Sequence, residues 1–299
     1  MSRATYVVLG DVMTDVVCLL RGPVVVGSDS PAAIRVQGGG SAANTAAWLA
    51  ATGHRAVLVC RVGDDPAGEV SVATLRRSGV EVAATVDPER ATGTCVVLVG
   101  PDGERSMVPD TGANAVWALG DLPDEGWGSA THLHVSGYAL VNPGARDAAL
   151  EAIRRTRAGG GTVSVDVASA EPLRENGPAR FLGGVAGVDV LLANEAEAAV
   201  LTGRADPEEA GRSLAAYAGV AVVKLGAHGA LLARRTGAIV RRPGRPVEVI
   251  DTTGAGDAFA AGFLPAWRDG LGDEASLSAG NALGADAVAR PGARPSRRV

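Results

Sequence analysis

Val188-Asp189-Val190-Leu191-Leu192-Ala193, then an alanine-rich stretch over 207–217, then Ala221-Val222-Val223-Lys224-Leu225: this strand–helix–strand run decides the fold. Both strand candidates are apolar at nearly every position, as expected for parallel strands covered on two faces. The pattern extends in both directions. Further strands are expected at 6–9, 56–60, 132–136, 162–167 and 230–233, and helices at 41–52, 66–78, 144–157, 255–269 and 274–289. Gly53, Gly79, Gly159 and Gly270 follow helices, where a left-handed terminal residue is expected. The alternation predicts an α/β chain built on a doubly wound parallel sheet. Residues 12–36 and 92–110 interrupt it, with strand-like pieces at 24–26, 34–36, 93–99 and 106–108 and no helix. They are expected to pair as a small discontinuous sheet covering the main layer, so that 1–299 is a single domain.

The 299 residues are 46% hydrophobic with a net charge of -5, too apolar and too weakly charged for intrinsic disorder. The 41 glycines show no collagen period. Lys224 is the single lysine and follows Val223, which excludes a GxxxxGK[ST] phosphate loop and leaves one candidate for Schiff-base chemistry. The acidic balance argues against nucleic acid as a partner, and the cluster Arg290, Arg294, Arg297, Arg298 reads as a solvated tail. Cys18, Cys60 and Cys95 are odd in number and lack CxxC spacing, so they read as small core residues in a reducing compartment. Residues 16–26, broken by Arg21 and Pro23, are too short to span a bilayer, and a cytoplasmic protein with no membrane partner is expected.

Two glycine segments carry the chemistry. Asp251-Thr252-Thr253-Gly254-Ala255-Gly256-Asp257-Ala258-Phe259 follows the strand-like 247–250 and opens a long helix. Free N–H groups and the dipole at a helix start favour an anion, and the glycines let backbone approach a phosphate. A carboxylate there would repel phosphate, so Asp257 makes sense as the acceptor of a proton from an attacking hydroxyl. The bland alternative is an N-capping aspartate, which the two threonines, Asp251 and the helix-opening position weaken. The second segment, Gly38-Gly39-Gly40-Ser41-Ala42-Ala43-Asn44, has three readings: a polyol site, a structural turn, or a dinucleotide fingerprint without the strand context it needs.

Gly39–Asn44 through Arg61-Val62-Gly63-Asp64-Asp65, together with the 251–257 segment, resembles the two signatures of the ribokinase (PfkB) family of carbohydrate kinases. Asn194-Glu195-Ala196-Glu197 is similar to the family's NxxE motif, Lys224-Leu225-Gly226-Ala227-His228-Gly229 to its nucleotide-binding turn, and Gly10-Asp11-Val12-Met13-Thr14-Asp15 to its substrate strand. The correspondences run in family order from about residue 5 to 296.

The resemblance implies a ribokinase-like three-layer sandwich with a β lid over 12–36 and 92–110. It implies Asp257 as general base, with Gly254, Ala255 and Gly256 as the anion hole. Asn194 and Glu197 would organise Mg²⁺ and phosphates through water; alone, Glu197 would read as a solvated first-turn carboxylate. Lys224, Gly226 and Gly229 would line the ATP cleft, with Asn281 near adenine. Asp15, Gly39, Gly40 and Asn44 would contact sugar. Asp11 would help there or sit in the strand turn, and Arg105 would meet a substrate anion or lie on the surface. His228 is expected at the cleft edge or in solvent, and His54, His132 and His134 as structural. Carbonyls around Asp251, Thr253, Ala287 and Gly292, with Ser296, would bind K⁺.

The implied activity is transfer of the ATP γ-phosphate to the hydroxymethyl group of a small sugar. A nucleoside kinase of the same family is the second reading. Only ten aromatic residues are present, and Trp48, Tyr138, Phe259 and Phe263 are expected in the core, leaving few to stack on a base. A non-catalytic sugar or nucleotide sensor is the third reading and a nicotinamide dehydrogenase the fourth. The edge of the lid sheet offers a surface for a homodimer.

Overall fold

The computed structural model describes residues 4–102, 104–167 and 169–295. The strands, in chain order, are β1 (Thr5–Leu9), β2 (Met13–Leu20), β3 (Ala32–Gly39), β4 (Arg55–Gly63), β5 (Glu81–Asp87), β6 (Gly93–Val99) and β7 (Arg105–Asp110). Then come β8 (Thr131–Ser136), β9 (Thr162–Asp166), β10 (Val188–Asn194), β11 (Ala218–Lys224), β12 (Ala230–Arg234) and β13 (Ile239–Arg242). The α-helices are α1 (Ser41–Ala51), α2 (Pro66–Arg77), α3 (Gly137–Val141), α4 (Arg146–Ala158) and α5 (Ala170–Asn176). They continue with α6 (Pro178–Gly184), α7 (Glu195–Thr202), α8 (Pro207–Leu214), α9 (Ala255–Arg268) and α10 (Asp273–Val288).

Nine strands form one sheet in the order β13-β12-β11-β10-β9-β8-β1-β4-β5, parallel from β11 to β5, with β12 and β13 antiparallel at one edge. Successive side chains of a strand serve opposite faces, so each apolar strand feeds two cores. Val7, Leu9, Leu191 and Ala193 pack on one side with residues of α3 to α8. Tyr6, Val8, Val190 and Leu192 pack on the other with α1, α9 and α10. This double burial is why the strands read as continuous apolar runs.

The second sheet has the order β3-β2-β6-β7 and is built from the two interrupted stretches. Its strands run further than expected: β2 occupies 13–20, while residues 24–26 are turn rather than strand. Residues 247–250 are also not a strand, and β5, β13 and helices α3, α5, α6 and α7 are additional to the expectation. Gly159 has φ -81 and is not left-handed; Gly160, at φ 77, takes that conformation. Gly159 is needed for space instead, since a Cβ there would collide with the Trp127 carbonyl.

The end of the chain is not a solvated tail through 294. The Arg290 guanidinium lies 5.7 Å from the centre of the Trp48 ring, and Trp48 Nε1 donates to the Ala293 carbonyl at 2.9 Å. Arg294 turns inward from there; Arg297 and Arg298 lie outside the described residues. Trp48→Phe keeps most of the ring volume but leaves the Ala293 carbonyl without its donor. An unmet buried acceptor costs about 1–3 kcal/mol. The expected result in thermal unfolding is a lowered Tm, together with weakened activity because 293–294 border the site described next.

Candidate active site

Helix α1 begins without a capping side chain of its own, because its N-cap is Gly40. The missing acceptor comes from Asp11, in the link between β1 and β2. Its carboxylate accepts from Ser41 N at 2.9 Å and Ala42 N at 3.4 Å. Three residues apart, Ser41 and Asn44 share one face of the first turn, and that face meets the start of α9. Ser41 Oγ donates to Asp257 Oδ1 at 2.8 Å, and Asn44 Nδ2 donates to Oδ2 at 2.9 Å. The Asp257 carboxylate is therefore held at both oxygens. Burial pushes it up to about 7, against the pull of Asn44, Ser41 and Lys224. A base poised near neutrality suits proton abstraction from a hydroxyl.

Gly254 precedes α9 in the left-handed region at φ 75, and a Cβ there would lie 2.5 Å from the Ala293 carbonyl. Among the described residues, the N–H groups of Gly256 and Asp257 donate to no backbone carbonyl outside the helix. A helix N-terminus with such N–H groups can attract an anion. Lys224 reaches the same turn: a Cβ on Gly256 would stand 3.1 Å from its Nζ. Below that turn Nζ donates to both oxygens of Asp166, at 2.7 and 2.9 Å. Burial pulls the ammonium down, but Asp166, Glu197 and Asp257 together hold it above its ordinary value.

The residues expected to contact sugar, metal and nucleotide fall into three groups. Asp15 is buried at the start of β2, and burial pushes its carboxyl up to about 6 while Arg294 pulls the other way. Gly39 lies against it, since a Cβ there would collide with the Asp15 carboxylate. Glu197 is buried rather than solvated: it forms a reciprocal cap with Asn194, accepting from Asn194 N at 2.8 Å and Nδ2 at 2.7 Å. Burial pushes it up, and Lys224 opposes this. Asn281 donates to the carbonyls of Arg242 and Pro243 at 3.2 and 3.0 Å, and the Gly229 turn packs on the same 242–244 backbone. Asn281 and Gly229 thus meet at one place, with Gly226 at the open end of the turn and His228 exposed.

Asp251 holds the anion turn to the chain end. Its Oδ1 accepts from Thr253 N at 2.9 Å and Thr253 Oγ1 at 2.6 Å, and its Oδ2 from Gly292 N at 3.0 Å. Burial works against ionisation, but Thr253, Gly292 and Arg105 hold this carboxyl below its usual range. Arg105, projecting from β7, is not a free surface residue: it pairs with Asp251 at 3.3 Å and donates to the Thr253 hydroxyl at 2.5 Å and to that of Thr252. Ser296 lies outside the described residues.

Sequence reasoning missed Ser41, Asp166 and Arg294. Ser41 stood in the quoted motif, and its i,i+3 spacing from Asn44 was a usable signal. Asp166 is the last residue of an apolar strand, and Arg294 looked like one of several terminal charges; neither carries a local signal. Tyr138 is 37% exposed, not a core residue. His132 is buried and bonded to Thr162 and Ser164 at 2.8 Å each. Gly38–Gly40 closes an antiparallel strand of the small sheet, so it lacks the βαβ context of a dinucleotide fingerprint.

The pfkB family carbohydrate kinase model matches residues 3–298. The chain belongs to this family. An ATP-dependent ribose-1-phosphate kinase of Halopiger xanaduensis is 35% identical over 271 residues, covering 89% of this chain and 86% of that protein. The ribokinase of Mus musculus is 29% identical and covers 99% and 92%. Among solved structures, adenosine kinase of Sinorhizobium meliloti superposes with a TM-score of 0.87 at 27% identity, covering 98% and 96%. Fructokinase of Vibrio cholerae, bound to fructose, ADP and calcium, gives 0.81 at 30% identity, covering 98% and 95%. The fold is ribokinase-like, and the enzyme is a carbohydrate kinase, a phosphotransferase with an alcohol acceptor.

Asp257 and Asp15 have a consequence for stability. Burial raises both above their ordinary 3.8, to about 7 and about 6, so the folded chain holds these protons more tightly than the unfolded chain. Their contribution is therefore favourable at low pH and is lost as pH rises toward 7. Asp257→Asn removes one of these groups. In thermal unfolding the variant is expected to come closest to the wild type near pH 4, and its advantage is expected to grow through pH 5–7 to several degrees near pH 8. A difference that stays constant from pH 4 to pH 8 would contradict the assignment.

Proposed function

We propose that this enzyme transfers the γ-phosphate of ATP to a hydroxymethyl group of a small sugar, with Asp257 as the general base. The observation that carries the reading is the Asp257 carboxylate, held by Ser41 and Asn44 against the open N-terminus of α9. Asp15, Asn44 and the backbone of Gly39 and Gly40 bind and orient the sugar hydroxyls. Asp257 takes the proton from the attacking oxygen, and the turn at Gly254, Ala255 and Gly256 meets the charge on the transferred phosphoryl group. Little covalent chemistry is left to the protein in such a transfer, so position and charge dominate. Lys224 supports the phosphates from below, and Gly226, Gly229 and Asn281 border the nucleotide. The small sheet acts as a lid that excludes water.

Among the described residues there is no group of three or more His, Cys, Asp or Glu side chains able to hold an ion. That fits Mg²⁺ held mainly by water and phosphates, with Glu197 and Asn194 orienting the water; bound there, it neutralises phosphate charge. For K⁺, the Asp251–Gly292 bond brings the two carbonyl-bearing segments together, although Arg105 already gives Asp251 a cationic partner. A K⁺-activated enzyme loses turnover when K⁺ is replaced by tetramethylammonium at constant ionic strength; unchanged turnover removes K⁺ from the reading. No described helix is long and apolar enough to cross a membrane. Exposed Ile34, Val36, Met107 and Val108 on the lid's edge strands favour a homodimer through that sheet. Exposed Tyr138, beside the charges of Asp11 and Asp257, favours a nucleoside acceptor as the second reading.

The test is a thermal-shift panel of sugars, sugar phosphates and nucleosides with a non-hydrolysable ATP analogue, followed by ADP release on the compounds that bind. Asp257→Ala is expected to lower turnover by about 10²–10⁴-fold, as for a lost general base, with binding of the ATP analogue retained. Retained turnover would overturn the assignment.

A further inference from the structure

The chain end delivers a charged group into the sugar site. Arg294 Nε donates to Asn44 Oδ1 at 3.1 Å, and its Nη2 donates to the Gly39 carbonyl at 2.6 Å. Room for it is made by Gly38, where a Cβ would collide with the guanidinium. Asn44 thus sits between two partners of opposite hydrogen-bonding character: Arg294 only donates, and the ionised Asp257 carboxylate only accepts. A primary amide has one accepting end and one donating end. Rotated by half a turn, Asn44 would aim NH₂ at the guanidinium and oxygen at the carboxylate, losing both bonds. The ionised carboxylate and the arginine select the same orientation, and only the arginine does so whatever the protonation of Asp257.

We infer that Arg294 is a positioning residue for phosphoryl transfer, locking the Asn44 amide so that its N–H end holds and stabilises the Asp257 base. This rests on the kinase reading above. Without Arg294, only ionised Asp257 would hold the amide this way; a protonated Asp257, which can donate, would equally accept the rotated amide, leaving the base misplaced and harder to ionise. The charges facing Asp257 come from several elements: Asp166 and Lys224 at the ends of β9 and β11, and Arg294 itself; Asp11 after β1 also faces Arg294, and Glu197 on α7 faces Lys224. Asp15 faces the arginine from β2.

A double-mutant cycle tests the route. Arg294→Met is expected to lower kcat by roughly 10–100-fold, the scale of a misplaced catalytic group, and to move the acid limb of the kcat/KM profile to higher pH, with the KM for ATP unchanged. In an Asn44→Ala background the same change is expected to cost less than about twofold, because its effect passes through that amide. Arg294→Lys, still a donor-only head group, is expected to keep more turnover than Arg294→Met. Three results would overturn the inference: effects that multiply independently of Asn44; a raised sugar KM at unchanged kcat, which would mark Arg294 as a substrate-binding group; or equal losses in both Arg294 variants that track Tm with the pH profile unmoved. If the wild-type enzyme phosphorylates none of the panel, the kinase reading fails by itself. The inference is then decided by Tm against pH, where the step removed by Asp257→Asn is expected to lie at higher pH in Arg294→Met.

Discussion

Two hydrogen bonds, from Ser41 and Asn44 to the Asp257 carboxylate, join the first turns of α1 and α9. Both helices start at the same rim of the sheet and pack on the same face, so their N-terminal ends converge there. Around this junction are Asp11, Asp15, Asp166, Glu197 and Asp257, with Lys224 and Arg294 as the cations facing them. Acids therefore outnumber bases before any phosphate arrives. Four of these acids have hydrogen-bond donors: α1 backbone N–H groups for Asp11, Asn194 for Glu197, Lys224 for Asp166, and Ser41 with Asn44 for Asp257, while Asp15 faces the Arg294 charge. In the proposed reaction that leaves backbone N–H groups at the start of α9 to meet the phosphates.

The parallel core was legible in the sequence because burial on both faces leaves mostly apolar runs in strands such as Val188–Asn194 and Ala218–Lys224. Strands with one covered face read less clearly. Glu81–Asp87 alternates exposure at the sheet edge and went unseen, and β2 was seen only as part of an irregular stretch. The expected strand over 247–250 illustrates the reverse error. Val249 and Ile250 are exposed in a segment held by bonds from the backbone of 250 and 251 to Val288, which hydrophobicity alone does not distinguish from a ladder.

Within the site, local motifs were readable where one segment supplies both a conformation and a chemical group, as at Gly254–Asp257. They were opaque where function arises from contact between distant segments. Asp166 gains its meaning from Lys224, 58 residues away, and Arg294 from Asn44, 250 residues away. No periodicity or spacing encodes such pairs. Arg105 is similar: its partners, Asp251 to Thr253, lie nearly half a chain further on and in a different sheet's territory. Its docking brings the rim of the small sheet onto the anion turn.

The order in which the site's pieces occur along the polypeptide has a consequence for its making. Asp11, Asp15, Ser41 and Asn44 are near the start of the chain, whereas Asp257, the loop at 292 and Arg294 come near its end. Synthesis at about 5–20 residues per second supplies the two groups at different times, and α9 and α10, which help cover one face of the sheet, come only with the second. Until those residues emerge, the first turn of α1 has neither the carboxylate it orients nor the arginine that orients it. The segment made after residue 250 thus supplies both the candidate base and part of the cover of one sheet face.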